Sequence, residues 1–195
     1  EAVSARAIGK LLAGHCDALI VLDLHAPAVL EDLGIPVAFT SAMPELAAHL
    51  QEQVNPDFVL SPDKGAIDRA TAVAQSIGCG FSYLEKTLID AHTIFHKAKD
   101  LDVAGRTVAI VDDMIATGGT ICKAADALRA QGAVAVHAAC SHGLFTGGAV
   151  NRLSGHVDGV HATSSLPNRK AVIPAGPAIG RGVRTVLAEL GLSGV

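Results

Sequence analysis

Val108-Ala-Ile-Val-Asp-Asp-Met-Ile-Ala-Thr-Gly-Gly-Thr120 joins an apolar run, an acidic pair and a glycine turn in one short stretch. The apolar residues at its start, several of them β-branched, predict a buried strand that ends at Asp112 and Asp113. Thr117-Gly-Gly-Thr120 follows as a turn, and residues 121–130 then have the spacing of an amphipathic helix. The order of strand, turn and helix predicts a parallel α/β unit at this point in the chain.

The turn after this strand has the chemistry of a phosphate site. Gly118 and Gly119 let backbone N–H groups approach an anion closely, and the start of the following helix leaves N–H donors unpaired. The hydroxyls of Thr117 and Thr120 add hydrogen bonds. The acidic pair suits a different task, because carboxylates at the carboxyl edge of a sheet accept hydrogen bonds from sugar hydroxyls or help to hold a divalent cation. The stretch therefore favours a phosphorylated sugar as ligand.

Segments with the spacing of strands alternate with helical segments along most of the chain. Strands or extended segments are predicted over residues 17–25, 35–40, 57–63, 80–86, 93–96, 108–111, 133–140 and 157–163. Helices are predicted over residues 4–12, 27–33, 44–53, 64–77, 121–130, 146–153 and 181–190. This alternation predicts an α/β fold, a mainly parallel sheet flanked by helices, with ligands at the carboxyl ends of its strands.

The first predicted helix carries two local expectations. Ser4 is expected to be its N-cap, because a serine oxygen accepts hydrogen bonds from the first N–H groups of a helix. Ile8, Leu11 and Leu12 recur at helical spacing. These three side chains are therefore expected to form the buried face of the helix.

Composition and charge exclude several classes of protein. Half of the 195 residues are hydrophobic, so the chain can bury a core, and a formal net charge of −4 gives no reason to expect a nucleic-acid partner. No apolar run reaches the roughly 20 residues that a membrane-spanning helix needs, so we expect no membrane association. The cysteines lie in apolar segments without metal-ligand or paired spacing, which predicts reduced thiols in a cytoplasmic protein. They are Cys16, Cys79, Cys122 and Cys140.

The stretch from Val111 to Thr120 resembles the phosphoribosyl pyrophosphate signature of type I phosphoribosyltransferases. Further stretches, in order and spacing, narrow the resemblance to the ribose-phosphate pyrophosphokinases. They are Ser4-Ala-Arg-Ala7, Asp23-Leu-His25, Leu60-Ser-Pro-Asp-Lys-Gly65 and Ala139-Cys-Ser-His-Gly143. The resemblance covers residues 1–163 and implies a type I phosphoribosyltransferase-like fold. It also implies a homo-oligomer, and transfer of the diphosphoryl group of ATP, with Mg²⁺, to ribose 5-phosphate to give phosphoribosyl pyrophosphate and AMP.

The resemblance also assigns residues to the site. It implies that the acidic pair binds the ribose hydroxyls and that the turn binds the 5-phosphate. The residues concerned are Asp112, Asp113, Ala116, Thr117, Gly118, Gly119 and Thr120. For magnesium it implies His25 and Asp63 as ligands, with Asp23 on the same metal-associated motif. Lys86 matches the family's catalytic lysine at the start of a loop.

Three of these residues also have ordinary structural interpretations. A lone histidine near a strand end, such as His25, is often a hydrogen-bonded structural residue. Asp63 precedes a predicted helix, where an aspartate suits the N-cap position. Lys86 has the residue type of a solvated loop lysine. Without the resemblance, both interpretations stay open for each of the three.

Two departures from the family pattern bear on activity and extent. Where the family follows its loop lysine closely with an arginine, this chain has Lys86-Thr87-Leu88. Arginine fingers contribute a factor of roughly 10³ to 10⁵ in rate, so this loss is expected to be costly. Family members also have much of another α/β half before residues 4–7. We therefore expect one complete domain over residues 50–176, plus the remainder of a similar amino-terminal domain over residues 1–49 with residues 177–195 packed on it.

Two alternative functions stay open at this level. A phosphoribosyltransferase that consumes phosphoribosyl pyrophosphate shares the signature, although no segment that would cover a nucleobase is evident. A non-catalytic or regulatory paralogue that binds ribose phosphate fits the missing arginine.

The glycine and proline content of residues 167–182 predicts a segment less regular than the family's ending.

Overall fold

The structure is a computed structural model that describes residues 2–30, 32–88, 94–98 and 102–192. The helices are α1 (Ala2–Ala13), α2 (Met43–Gln53), α3 (Ile67–Ile77), α4 (Gly119–Ala130), α5 (Ala149–Leu153) and α6 (Gly176–Glu189), with 3₁₀ turns at Pro27–Leu30 and Lys64–Ala66. The strands are β1 (Leu19–Leu22), β2 (Val37–Thr40), β3 (Phe58–Ser61), β4 (Gly80–Leu88), β5 (Ile94–Ala98), β6 (Thr107–Ile115), β7 (Ala135–Gly143), β8 (Gly159–Thr163) and β9 (Ala171–Ile173). None of the helices in these described ranges is long and apolar enough to cross a membrane.

The chain divides into two compact units. The first comprises Glu1–Ala42 with Ala175–Val195, and the second comprises Met43–Pro174. The sequence places the boundaries after residues 49 and 176, whereas the structure places them after residues 42 and 174. Helix α2 therefore groups with the second unit.

The second unit is built on a seven-stranded sheet with the order β5-β4-β3-β6-β7-β8-β9. All neighbouring strands run parallel except β4 and β5, which are antiparallel. The mainly parallel sheet flanked by helices is the predicted fold. Strand β6 is central, and Val108, Ala109, Ile110 and Val111 are all fully buried. Such a continuous apolar run is typical of a parallel strand covered on both faces.

The first unit pairs β1 with β2 in parallel and packs α6 against them. Thr40 Oγ1 donates a hydrogen bond to the Ala178 carbonyl at 2.8 Å, and Arg181 donates to the Ser41 carbonyl at 2.8 Å. Gly182 lies so close to β1 that a Cβ built on it would be 2.4 Å from Ile20 Cγ2. The absence of a side chain at this position therefore sets how closely α6 approaches the strands.

The predictions for the first helix were wrong. Helix α1 begins at Ala2, so Ser4 lies inside the helix and is not its N-cap. Ile8, Leu11 and Leu12 are 58%, 64% and 47% exposed instead of buried. Among residues 4–13 of the helix, Gly9 is the buried position, and a Cβ there would lie 2.7 Å from Leu30 Cδ2. Helical spacing identifies an apolar stripe correctly, but it does not say what the stripe packs against.

Three other local expectations also differ from the structure. Strand β6 continues through the acidic pair to Ile115, because Met114 and Ile115 pair with residues 142 and 143 of β7. Strand β7 likewise runs on to Gly143. Within the segment Pro167–Gly182, expected to be less regular than the family's ending, strand β9 was not predicted and α6 begins at Gly176 instead of residue 181. In each case, pairing with a neighbouring strand or packing in three dimensions extended the regular structure.

The close packing of α6 gives a first prediction. Gly182→Ala should lower the free energy of unfolding by about 1–3 kcal/mol, because the new methyl overlaps the stiff, β-branched side chain of Ile20. Chemical denaturation measures the change. The matched control is Gly180→Ala in the same helix, where the nearest heavy atom, Arg184 Nη1, is 3.8 Å away. Alanine there should be neutral or stabilising by about 0.5–1 kcal/mol, from helix propensity alone. Equal stabilities of the two variants would contradict the packing described.

Candidate functional site

The acidic pair lies near the carboxyl end of β6, and its two members face different surroundings. Successive side chains of a strand point to opposite faces of the sheet. Asp112 is half-buried and borders an open pocket, whereas Asp113 is 3% exposed. The Asp113 carboxylate faces α3, where its Oδ2 lies 3.2 Å from Arg69 Nη1. Asp112 is thus the member of the pair that the structure presents to a ligand.

The pocket is formed by the segment that follows Asp112. Its volume is about 180 Å³, and its lining includes every residue predicted for the 5-phosphate. The lining residues are Asp112, Met114, Ile115, Ala116, Thr117, Gly118, Gly119, Thr120 and Ile121. We call Ala116–Thr120 the phosphate loop. Asp112 and the phosphate loop, all predicted to bind ribose 5-phosphate, therefore line one concave surface. Asp113, predicted with them, does not line it.

Two constraints require glycine at position 118. Its φ of +76° lies in the left-handed region, and a Cβ there would be 3.0 Å from Leu153 Cγ. Gly118 is the N-cap of α4, and its carbonyl accepts a hydrogen bond from the Cys122 N–H at 2.9 Å. The N–H groups of the first turn of α4 have no partners within the helix. The pocket therefore lies beside backbone donors and the positive end of the helix dipole, which suits an anion.

Arg152, which the sequence did not single out, supports the phosphate loop from outside. Its guanidinium donates hydrogen bonds to the carbonyl of Thr117 and, at 3.2 Å, to the carbonyl of Gly147. The residue lies near the end of the short helix α5, well separated from the loop in sequence. Arginine at the end of a surface helix is common, so the sequence alone gave no signal for this contact. Arg69, in the first turn of α3, was missed because its contact with Asp113 likewise joins residues far apart in the sequence.

The electrostatics of the acidic pair are unusual. The pKa of Asp112 is raised from its ordinary value of 3.8 to about 7, chiefly because burial disfavours the charged form. The negative charges of Asp113 and Asp63 also raise the pKa of Asp112. These three carboxylates therefore concentrate negative charge at the carboxyl edge of β6. Part of the Asp112 population is protonated near neutral pH, and a ligand that donates hydrogen bonds or carries positive charge relieves the repulsion.

Asp63, predicted as a metal ligand, also has the structural role that its position indicated. Its Oδ1 accepts a hydrogen bond from the Gly65 N–H at 2.9 Å and caps the short 3₁₀ turn. Magnesium typically binds through one or two carboxylates and keeps several water ligands. The oxygen donors of Asp63 and Asp112, and the surplus negative charge between them, fit this chemistry.

Asp23 and His25 follow β1 in the first unit, whereas Asp63 belongs to the second. Asp23 is buried, with a left-handed φ of +41°. Its carboxylate accepts hydrogen bonds from Ser41 Oγ at 2.6 Å and from the Ala42 N–H at 2.9 Å. His25 is exposed. Within the described parts of the chain, no group of three or more His, Cys, Asp or Glu side chains is placed to hold a metal ion.

Lys86 belongs to β4, where its backbone pairs with that of His96 in β5. The structure does not describe its side chain or that of Leu88.

Ser141 and His142, from the motif at residues 139–143, lie within β7. His142 Nδ1 is 2.9 Å from Ser165 Oγ, and that hydroxyl donates in turn to the Ser141 carbonyl. Because the single hydroxyl proton goes to the carbonyl, His142 is the donor in the first contact.

Residues 35–168 match the phosphoribosyl transferase domain family. The chain is 40% identical over 190 residues to a ribose-phosphate pyrophosphokinase of Methanopyrus kandleri, covering 95% of this chain and 65% of the relative. A ribose-phosphate pyrophosphokinase of Pyrococcus furiosus is 38% identical over 181 residues, covering 92% of this chain and 64% of the relative. The crystal structure of a Mycobacterium smegmatis phosphoribosylpyrophosphate synthetase superposes with a TM-score of 0.80 at 30% identity, covering 96% and 64% of the two chains. The chain thus spans somewhat less than two thirds of the length of each.

The raised pKa of Asp112 predicts how stability depends on pH. Between pH 4 and pH 7 the folded protein keeps a proton on Asp112 that the unfolded chain has released. The contribution of Asp112 to the free energy of unfolding should therefore fall as pH rises through this range. Asp112→Asn removes this contribution, so its stability relative to the wild type should increase from about pH 4 to about pH 7 and then level off. Chemical denaturation in metal-free buffer measures it, with Asp17→Asn, an exposed position, as control. Parallel profiles for wild type and Asp112→Asn would contradict the prediction.

The contact of Arg152 with the phosphate loop predicts a loss of affinity. Arg152→Ala should weaken anion binding at the phosphate loop by about tenfold or more, because hydrogen bonds from a charged donor contribute about 1.5–3 kcal/mol and here they hold the loop. Isothermal titration calorimetry measures the affinity. Asn151→Ala is the matched control, since Asn151 is an exposed neighbour and keeps its backbone contact with Ser154. Equal affinities of the two variants would show that the loop does not need Arg152.

Proposed function

The chain belongs to the phosphoribosyl transferase domain family, and from that premise we propose that it acts as a ribose-phosphate diphosphokinase. In this reaction the 1-hydroxyl of ribose 5-phosphate attacks the β-phosphorus of ATP. A bond from that oxygen to the β-phosphorus forms, the bond from the β-phosphorus to the oxygen that bridges to the α-phosphate breaks, and the hydroxyl proton passes to water. AMP leaves as phosphoribosyl pyrophosphate is produced. The observation that carries the proposal is the phosphate loop, because a helix start, left-handed Gly118 and half-buried Asp112 border one pocket.

The phosphate loop and Asp112 divide the binding of ribose 5-phosphate between them. N–H groups at the start of α4 and the threonine hydroxyls of the loop bind the 5-phosphate. Asp112, at the edge of the same pocket, accepts hydrogen bonds from the ribose hydroxyls. Asp113 acts with it through the backbone, since its own N–H donates to Asp112 Oδ1 at 2.8 Å. In this proposal Asp113 orients Asp112 from its buried ion pair with Arg69 and does not itself contact the sugar.

The cofactor in this proposal is Mg²⁺. Asp63 is its ligand in the second unit, and His25, with Asp23 on the same motif, keeps the metal role that the resemblance implies. When bound, Mg²⁺ neutralises charge on the transferring phosphoryl oxygens. Asp63 contributes a carboxylate close enough to Asp112 for its charge to raise the Asp112 pKa. His25 contributes an exposed imidazole, and buried Asp23 supports the backbone that follows β1.

Lys86 is the catalytic cation in this proposal. Diphosphoryl transfer is catalysed mainly by positioning and by cations that stabilise charge developing on phosphoryl oxygens, and a lysine ammonium supplies such a charge. Leu88 stands where the family has an arginine, so the chain should react more slowly than a member that has both cations. We also propose that the protein is cytoplasmic, in keeping with its four free cysteines, and forms a homo-oligomer.

One observation favours a second candidate function. The family's arginine, a transition-state cation, is replaced by leucine at position 88, while the phosphate loop still lines a pocket. A non-catalytic or regulatory paralogue would show this combination, since it needs only to bind ribose phosphate. The other relatives of this fold, the phosphoribosyltransferases, release pyrophosphate when a nucleobase is supplied, which distinguishes them from both candidates.

The proposal predicts AMP formation from ATP, ribose 5-phosphate and Mg²⁺. Lys86→Ala should lower the rate at least 10³-fold, by analogy with other cations that act on the transition state, and Leu88→Arg should raise it at least tenfold. AMP is measured by chromatography, with Lys10→Ala, an exposed lysine of α1, as the control that leaves the rate unchanged. Binding of ribose 5-phosphate without AMP formation in wild type and Leu88→Arg would favour the paralogue. Pyrophosphate release that requires an added base would favour a phosphoribosyltransferase.

A further inference from the structure

Three histidines of the second unit form a continuous hydrogen-bonded chain. His49 of α2 places its Nε2 2.9 Å from Nδ1 of His161 in β8. The other ring nitrogen of His161, Nε2, lies 3.2 Å from Nδ1 of His137 in β7. We call these three residues the histidine chain. It links one helix to two neighbouring strands, and His161 at its centre uses both of its ring nitrogens.

The number of ring protons constrains this arrangement. A neutral imidazole has one N–H and one acceptor nitrogen, so His161 donates to one neighbour and accepts from the other. The pKa of His161 is lowered to about 4, first by burial and then by the positive charges of His49, His137 and Lys170. The central ring is therefore neutral at pH 7. Burial also lowers the pKa values of His49 and His137, so a nearby negative charge would favour the protonated form of each of the three rings.

The histidine chain borders an open surface groove that also contains two cations. The groove is lined by His49, Gln53, Gly159, Val160, His161, Arg169, Lys170 and Val172, and we call it the distal groove. Lys170 comes directly before β9 and Gly159 begins β8. The distal groove thus lies at the amino ends of these strands, whereas the phosphate loop lies at the carboxyl end of β6.

The two cations of the distal groove, Arg169 and Lys170, have no carboxylate ion-pair partner among the described residues. Glu52 of α2 is the acid whose charge acts on His49. Near His137, Asp158 is engaged by Arg129 and by the Val136 N–H. The groove therefore carries a local positive charge on a protein whose formal net charge is −4.

We propose that the distal groove binds a phosphate-type dianion, either inorganic phosphate or a phosphate monoester, and that the histidine chain takes up a proton when the dianion binds. Arg169 and Lys170 supply fixed charge and N–H donors. The dianion offsets the positive charge of Lys170, which adds to burial in lowering the pKa of His161, so the imidazoles gain a proton in its presence. This site is separate from the phosphate loop and does not depend on the proposed activity.

The test uses sulfate as probe, because sulfate is a dianion that does not itself titrate near neutral pH. Two-dimensional ¹H–¹⁵N spectra of the histidine side chains follow its addition between pH 5 and pH 7. We expect shifts of His49 and His161, and an affinity that rises up to about tenfold for each unit that the pH falls, as for uptake of one proton. Shifts confined to other histidines, or an affinity independent of pH, would overturn the proposal.

Variants separate this site from general charge effects and from the phosphate loop. Arg169→Ala with Lys170→Ala should weaken the sulfate response of the histidine chain at least tenfold, whereas Arg184→Ala, an exposed arginine of α6, should leave it unchanged. Gly119→Val, which obstructs the phosphate loop, should also leave it unchanged. Equal losses in the Arg184 variant, or loss in Gly119→Val, would overturn the proposal. In the Gly119→Val protein, tighter binding of AMP than of inorganic phosphate would identify a phosphate monoester as the ligand, and equal binding would identify the free anion.

Discussion

Backbone pairing of β6 with β3 on one side and β7 on the other is the constraint on which the second unit depends. A strand paired on both edges and covered on both faces has no exposed side, so its sequence is apolar for as long as it is enclosed. At Asp112 one face of the strand opens to the pocket, while Asp113 and Ile115 stay buried. The acidic pair, the phosphate loop and the start of α4 all lie at the carboxyl end of β6, whose position is set by its pairing with β3 and β7.

The ion pair between Arg69 and Asp113 explains how an acidic pair is tolerated there. A buried carboxylate without a partner is strongly destabilising, and Arg69 supplies that partner from α3. The pairing leaves Asp112 as the member with unrelieved repulsion. One acid is thus held for structure and the other is left available, although the two are adjacent in the sequence and identical in chemistry.

The sequence predicted the parts of the molecule that depend on neighbouring residues. Strand β6, the phosphate loop and the parallel sheet follow from local patterns between Val108 and Thr120 and from the alternation of segments. Arg152 could not be found in this way, because its contact with Thr117 joins residues far apart in the chain. The exposure of Leu11 could not be predicted either. Helical spacing shows which residues share a face of the helix, but not whether another element packs against that face. Strand β9 is short and exists because β8 lies beside it.

The left-handed conformation of Gly118 has a consequence for the thermodynamics of ligand binding. The phosphate loop is fixed by Leu153 packing beneath Gly118, by the Cys122 hydrogen bond and by Arg152, all of which form in the protein alone. A ligand that enters such a loop does not have to order it, so association costs little conformational entropy. The affinity then depends mainly on the exchange of water for backbone donors. A rigid loop of this kind selects its ligand by the size and charge of one tetrahedral group.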